Sequence, residues 1–171
     1  MTLRTVALVG LLLQTCHCIA SSPPPADPEP AGAETADAFW RIYGSPLTIH
    51  FSPNPDHRAV YALGVERQYL SGFLVGGAGF RNSFGQPSAY VYGGYRFDAP
   101  FASVPKLFFQ LSAGVLYGYK EPYENKVPFN HHGVSPGAVA AVGWEFTRAI
   151  SAQINVLGDS AFQLQLSFDL R

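Results

Sequence analysis

The sequence has little charge, few cysteines and no apolar run long enough to cross a bilayer as a helix. Charged residues make up 13% of the chain, whereas a soluble domain usually carries about 25%. The apolar run Val6 to Leu13 falls well short of the roughly 20 residues that a transmembrane helix needs. The net charge of −1 argues against binding to a polyanion such as nucleic acid.

Both cysteines lie in an N-terminal export signal. Arg4 supplies a positive charge before the apolar run, and Cys18-Ile19-Ala20 offers a cleavage position, so we predict that residues 1–20 are a cleaved signal peptide. A lipoprotein signal is the alternative, although neither Cys16 nor Cys18 follows the usual small residues. After cleavage the mature chain has no cysteine, which excludes disulfides and thiol catalysis.

A Pro- and Ala-rich leader follows the signal. Residues 21–38 have almost nothing to bury, which predicts a disordered periplasmic segment. The aromatic segment Phe39–Tyr43 suggests a brief interfacial helix or an aromatic anchor at the membrane edge, and a simple lead-in to the first strand is the alternative. We therefore assign residues 21–43 to the leader and residues 44–171 to one β-domain.

The β-domain alternates between apolar and polar residues in segments of strand length. In the last segment, Phe162, Leu164 and Leu166 share one face with Phe168 and Leu170, and polar side chains take the other. Eight candidate strands are predicted, over residues 46–52, 59–67, 71–81, 88–97, 106–119, 136–147, 150–157 and 161–170. Low charge and abundant aromatic residues without a long apolar stretch predict an all-β, eight-stranded antiparallel transmembrane β-barrel.

The connections between strands predict the orientation. The longer or more polar connections 53–58, 82–87 and 120–135 follow odd-numbered strands, whereas those after strands two and six are tight. Outer-membrane barrels have long extracellular loops and short periplasmic turns, so both termini are expected in the periplasm. We expect a monomeric, integral outer-membrane protein, inserted by the barrel-assembly machinery, with membrane lipids as partners.

Residues expected inside the barrel suggest a closed lower half and a narrow upper hole. Glu66, Arg96 and Glu145 fall near the periplasmic ends of their strands, and we predict that Arg96 pairs with both carboxylates as a charge plug. A basic side chain facing hydrocarbon at mid-depth would cost about 2–4 kcal/mol, so an internal network is expected. Small or apolar residues are candidates for a pocket that holds one acyl chain: Ala62, Gly114, Leu116, Gly118 and Val139.

Candidate chemistry lies at the extracellular rim. His50 falls on the first strand, and Ser83 lies in the turn-forming segment 82–86. Asp56 and His57 offer an alternative acid–base pair. The sequence has no Gly-x-Ser-x-Gly elbow and no nucleotide-binding loop, so no cofactor is expected.

The adjacent histidines His131 and His132 resemble a metal site. Neighbouring side chains on a strand point to opposite faces, and no third ligand is spaced to join them. We therefore expect no metal site here.

Five segments, spread over most of residues 44–171, carry a resemblance to a known family: Leu47–Phe51, Gly79–Phe84, Tyr92–Tyr95, Lys126–Pro128 and Ser135–Phe146. In this order they resemble the first strand, second outer loop, following strand, later outer loop and sixth strand of a family of small outer-membrane barrels, the PagP-type lipid A palmitoyltransferases.

The resemblance implies transfer of a palmitoyl chain from a phospholipid to lipid A in the outer leaflet. It places the family's catalytic histidine at His50 and its Asp-Ser pair at Asn82 and Ser83. Asn82 departs from the acidic residue of the family, because an amide can orient an imidazole but cannot stabilise its charged form as a carboxylate does. The family's periplasmic leader helix would fall at Glu34 to Tyr43.

Lipid A acylation with a phospholipid donor is the leading functional hypothesis. A non-enzymatic barrel with a structural, adhesive or solute-passage role is the second, and a lipid A deacylase on the same scaffold is the third. A soluble periplasmic lipid carrier is the alternative at the level of the fold.

Overall fold

The computed structural model describes residues 37–52 and 55–171, so the predicted signal peptide and most of the predicted leader lie outside the described residues. Within these described residues the chain forms eight strands: β1 (Ala38–His50), β2 (Ala62–Tyr69), β3 (Phe73–Arg81), β4 (Pro87–Asp98), β5 (Leu107–Tyr117), β6 (Val134–Glu145), β7 (Ile150–Leu157) and β8 (Ala161–Leu170). Each strand pairs antiparallel with its sequence neighbours, and β1 pairs with β8 to close the barrel. The predicted antiparallel barrel is therefore confirmed.

The barrel is apolar outside and polar inside. On β8, Phe162, Leu166 and Phe168 are about half exposed, whereas Gln165 and Ser167 between them are buried. This inversion of a soluble protein's pattern is typical of a barrel whose outer face contacts lipid. The described part of the chain contains no helix that is both long and apolar enough to cross a membrane.

The two ends of the barrel differ in their connections. The connections after β1, β3, β5 and β7 meet at one end, the loop end, and two of them are long, residues 51–61 and 118–133. A short 3-10 helix, Glu124–Lys126, lies in the second of these. The opposite end, the termini end, carries the start of β1 and the end of β8.

The first strand begins earlier than the sequence analysis expects. Residues Phe39–Tyr43 form the start of β1, so they are neither an interfacial helix nor part of a leader, and the barrel begins at Ala38 rather than at residue 44. The pairing register with β8 shifts between Gly44 and Leu47. Such a bulge adds one residue and breaks the two-residue period, which hid the first half of the strand.

Candidate functional site

The lumen holds a cavity of about 540 Å³ that opens at the loop end. This volume lies within the range of roughly 300–1,000 Å³ that is usual for small-molecule sites. All eight strands contribute inward side chains, and the loops contribute His57, Ser83 and Lys126 at the mouth. The cavity is therefore the candidate binding site.

A buried hydrogen-bond network forms the floor of the cavity. The hydroxyls of Tyr43 and Tyr92 lie 2.7 Å apart, and Tyr92 Oη donates to Glu66 Oε1 over 2.8 Å. Gln110 Nε2 donates to the same carboxylate oxygen over 3.1 Å, and Gln68 Nε2 donates to the other over 2.7 Å. These bonds join side chains of β1, β2, β4 and β5, so the floor links four strands across the lumen.

Glycines opposite the two tyrosines make the floor possible. A Cβ atom at Gly64 would lie 2.2 Å from Tyr43 Cζ, and one at Gly76 would lie 2.7 Å from Tyr92 Cζ. Side chains at these two positions would occupy the space that the tyrosine rings fill. Gly64 on β2 and Gly76 on β3 thus leave room for the tyrosine rings in the lumen.

Charged residues close the barrel beneath the floor. Arg41 is fully buried and binds Asp169 through two hydrogen bonds, Nε to Oδ1 at 2.6 Å and Nη2 to Oδ2 at 3.0 Å. Arg41 Nη1 also lies 3.9 Å from Glu66 Oε2. This ion cluster joins β1, β2 and β8.

The charge plug differs from the one expected from sequence. Arg96 binds Glu145 and Asp98, and its guanidinium lies 3.6 Å from the centre of the Phe108 ring. Glu66 is paired with Arg41 and not with Arg96. Arg41 falls within the residues assigned to the leader, so the sequence did not predict its role. The alternation of β8 places Asp169 on the polar face but does not reveal its partner.

Two histidines meet at the mouth of the cavity. The ring centres of His50 and His57 lie 4.3 Å apart, and His57 lies 5.4 Å from the ring of Phe84. Both histidines line the cavity. Asp56, the proposed acid partner of His57, is exposed and does not line the cavity.

Ser83 lies at the same mouth and is buried. Its side chain is a hydrogen-bond partner of Tyr119, and its carbonyl accepts a hydrogen bond from the Arg58 amide over 2.8 Å. Burial raises the pKa of Tyr119 above its usual value, and the Ser83 hydrogen bond opposes this shift. Tyr119 therefore keeps its proton near neutral pH and is available as a hydroxyl partner.

The side chain of Asn82 holds the β3–β4 loop together. Its Oδ1 accepts hydrogen bonds from the amides of Phe84 and Gln86 over 3.1 and 3.0 Å, and its Nδ2 lies 3.4 Å from Gly118 O. The residue is almost completely buried. The resemblance led us to expect that Asn82 orients a histidine. Its side-chain amide instead binds backbone groups of the loops.

The acyl-pocket candidates divide into two groups. Ala62, Leu116 and Val139 line the cavity, whereas Gly114 and Gly118 do not. A Cβ at Gly114 would lie 2.0 Å from Val91 O, and one at Gly118 would lie 2.1 Å from Ser88 Oγ. These two glycines allow the backbone of β4 to approach closely. The alternation of apolar and polar residues does not reveal this role.

The barrel wall has two gaps near the mouth. Pairing between β6 and β7 ends at Ala140 and Val156, so residues 135–139 pair only with β5. Pairing between β1 and β2 ends at Ser45 and Ala62. Pro136, which has no amide proton to donate, lies in the first gap and lines the cavity.

The adjacent histidines of the β5–β6 connection also differ from expectation. His131 and His132 do not point apart, because they lie in a loop and their ring centres are 4.3 Å apart. His132 has a φ of 51°, which brings the two rings together. Within residues 37–52 and 55–171, no group of three His, Cys, Asp or Glu side chains is arranged to hold a metal ion.

Comparison with known proteins supports the fold alone. No protein-family model matches the chain, and no curated protein matches it. Among solved structures, the chain is similar to one described as "De novo design of transmembrane beta-barrels", with 12% identity and a TM-score of 0.54. The match covers 77% of this chain and 95% of that one.

Proposed function

We propose that this protein is an outer-membrane lipid A acyltransferase that moves an acyl chain from a phospholipid to lipid A. The observation that carries the proposal is a lumen cavity closed below by an ion cluster and open at the loop end, with His50, His57 and Ser83 at its mouth. The resemblance to the lipid A palmitoyltransferases supports the choice of lipid A and phospholipid as substrates. The predicted export signal at residues 1–20 supports the outer-membrane location.

The cavity suits the acyl chain of the donor. Its wall includes apolar side chains of β2, β3 and β5, among them Ala62, Phe80 and Leu116. The buried network of Glu66 and Tyr92 closes the other end. A chain that enters from the mouth therefore leaves its ester at the level of the histidines.

The gaps in the barrel wall suit lateral entry from the membrane. Unpaired backbone groups facing hydrocarbon are costly, so a gap that opens onto the lumen is best explained by a pathway. The outer half of β6, with Pro136 in it, is the stronger candidate because it borders the cavity over residues 136–139. In the proposal, lipid reaches the mouth sideways.

The transfer step needs a base and an oxyanion donor. The acceptor hydroxyl oxygen attacks the donor carbonyl carbon, and the neutral His50 imidazole takes the hydroxyl proton. The oxyanion accepts a hydrogen bond from the Ser83 or Tyr119 hydroxyl. Collapse breaks the ester bond to the glycerol oxygen, which leaves with the proton from His50 and releases a lysophospholipid.

A direct test uses purified barrel in detergent with a phospholipid that carries a labelled acyl chain and with lipid A. Labelled lipid A is expected with the native chain, and its formation should fall more than about a hundredfold in His50→Ala, since general-base catalysis contributes about 10²–10⁴-fold. His131→Ala is the matched control because His131 does not line the cavity. Unchanged transfer in His50→Ala would overturn the assignment, and loss of a chain from lipid A would indicate a deacylase.

A second candidate is a non-enzymatic barrel that binds a ligand in the same cavity. The hydrogen bonds of Asn82 favour it, because the residue at the family's acidic position is engaged in the loop. Binding of an acyl chain without any transfer in the assay above would establish this alternative.

A further inference from the structure

One wall of the cavity is lined by side-chain amides. Gln153 and Asn155 on β7, together with Gln163 and Gln165 on β8, point inward and line the cavity, and Thr48 on β1 extends the row. We call these five residues the amide wall. Gln153, Asn155 and Gln165 are 3–5% exposed, so most of the wall is withdrawn from bulk solvent.

The amide wall is ordered by its own register and hydrogen bonds. Gln153 pairs with Gln165 across β7 and β8, and Asn155 pairs with Gln163. Gln153 Nε2 donates to Asn155 Oδ1 over 2.7 Å, and Asn155 Nδ2 donates to Gln165 Oε1 over 3.0 Å. These bonds hold the amides in place before any ligand arrives.

The wall keeps hydrogen-bonding capacity that these bonds do not use. A carboxamide has two donor protons and an acceptor oxygen, and Gln153 Oε1 has no hydrogen-bond partner among the described residues. Gln110 Oε1, another buried cavity residue, is also without a partner in the described part of the chain. Buried polar groups without a partner are rare and call for an explanation.

The opposite wall carries apolar side chains among polar ones. In the closed order of eight strands, β3, β4 and β5 lie across from β7, β8 and β1. The first group presents Ala78, Phe80 and Leu116 to the cavity, together with Tyr90, Tyr92, Gln110 and Ser112. An unsubstituted hydrocarbon chain therefore matches the apolar patches of that wall but not the amide wall.

We infer that the cavity takes an acyl chain that carries a hydroxyl group, with the hydroxyl bound by the amide wall. This inference rests on the proposed function and names the chemistry of its donor chain. An unsubstituted chain would cover the unused amide groups without satisfying them, which is unfavourable. A hydroxyl both donates and accepts, so it can bind an amide N–H and an amide oxygen of the wall.

The position of the wall sets where the hydroxyl can lie. His50 pairs with Ala161, and Thr48 pairs with Gln163 two residues further along the strands. At about 3.3 Å per residue, the row of Thr48, Gln163 and Asn155 begins about 7 Å along the strands from the mouth, and the row of Gln153 and Gln165 begins about 13 Å from it. The hydroxyl therefore lies between the carbonyl end and the middle of the chain.

The test is a competition measured by native mass spectrometry on the full chain in detergent. The probes are hexadecanoic acid, β-hydroxyhexadecanoic acid and a hexadecanoic acid hydroxylated at mid-chain, each offered in equal amount against the unsubstituted acid. At least one hydroxylated acid should be bound about tenfold in preference, because a site built to hydrogen-bond a hydroxyl rejects the analogue that lacks it. The preference should fall to about one in Gln153→Met and in Gln163→Met.

Ser151→Ala is the control, because Ser151 is buried and faces inward on the same strand as Gln153 but does not line the cavity. It should keep the preference. Equal binding of all three acids would overturn the inference while leaving the acyl cavity of the proposed function in place. A preference that survives both wall variants would also overturn it, and binding of none of the acids would count against both proposals.

Discussion

Arg41 and Asp169 form a two-bond ion pair across the seam where the first strand meets the last. They are direct pairing partners on β1 and β8, and the pair is buried within the barrel. The final closure of the barrel therefore brings a buried cation and a buried anion together. Neither is stable there alone, which couples the ion pair to correct closure.

Replacing Arg41 should destabilise the barrel strongly. Arg41→Met leaves the Asp169 carboxylate without its buried partner, and losing one member of a buried pair costs about 3–5 kcal/mol. The measurement is the urea concentration at the midpoint of unfolding. The folded fraction is monitored by the difference in gel mobility between the folded and the unfolded barrel. Arg171→Met is the control, since Arg171 contacts the same carboxylate but is 48% exposed; equal midpoints for the two variants would contradict the account.

A side chain at Gly64 should disturb the cavity floor. The new Cβ of Gly64→Ala would lie 2.2 Å from Tyr43 Cζ and 2.7 Å from Gly77 O, and such overpacking typically costs about 1–3 kcal/mol. Gly79→Ala provides the comparison, because a Cβ there would meet no atom within 4 Å. We expect a lower urea midpoint for the first variant and an unchanged or higher one for the second. The reverse order would show that the floor is not packed as described.

An acidic residue in place of Asn82 should weaken the β3–β4 loop. The Nδ2 of Asn82 faces Gly118 O and Gln86 Oε1, so Asn82→Asp would place a buried carboxylate against two acceptors. A cost of about 1–3 kcal/mol is expected, the usual penalty for an unsatisfied buried group. Asn125→Asp, on an exposed residue, should have no such effect. If Asn82→Asp instead stabilised the barrel and transferred acyl chains faster, the prediction would be wrong. Position 82 would then be suited to a catalytic carboxylate.

Filling the cavity should abolish acyl binding without unfolding the barrel. Ala141 lines the cavity and Ala140 faces outward on the same strand, so Ala141→Phe and Ala140→Phe differ mainly in the side of the wall that they fill. We expect hexadecanoic acid to bind more than about tenfold more weakly to the first variant, a loss of about 1.4 kcal/mol, and unchanged binding to the second. Native mass spectrometry measures both, and gel mobility confirms folding. Equal binding would place the acyl site elsewhere.

The barrel itself could be predicted because its signal is repeated along the chain. Strands β7 and β8 were predicted with the bounds that the structure has, since Phe162 to Leu170 alternates without interruption. Low charge separates this pattern from that of a soluble sandwich. The rim position of His50, His57 and Ser83 followed from the strand order alone.

The interior could not be predicted in the same way. The bulge near Pro46 breaks the period of β1, and this break hid Arg41 and Tyr43. Which inward residues meet depends on the register between strands, and the sequence of one strand carries little information about the register of its neighbours. This is why Arg96 was assigned to Glu66, while the structure pairs Glu66 with Arg41.

The most direct test of acyl transfer is mass spectrometry of lipid A from cells that produce the native chain, His50→Ala or His131→Ala, compared with cells that lack the protein. Outer-membrane fractions must first contain equal amounts of the three proteins. We predict a mass gain of one acyl chain with the native chain and with His131→Ala, and none with His50→Ala. Identical lipid A in all four strains would contradict the account.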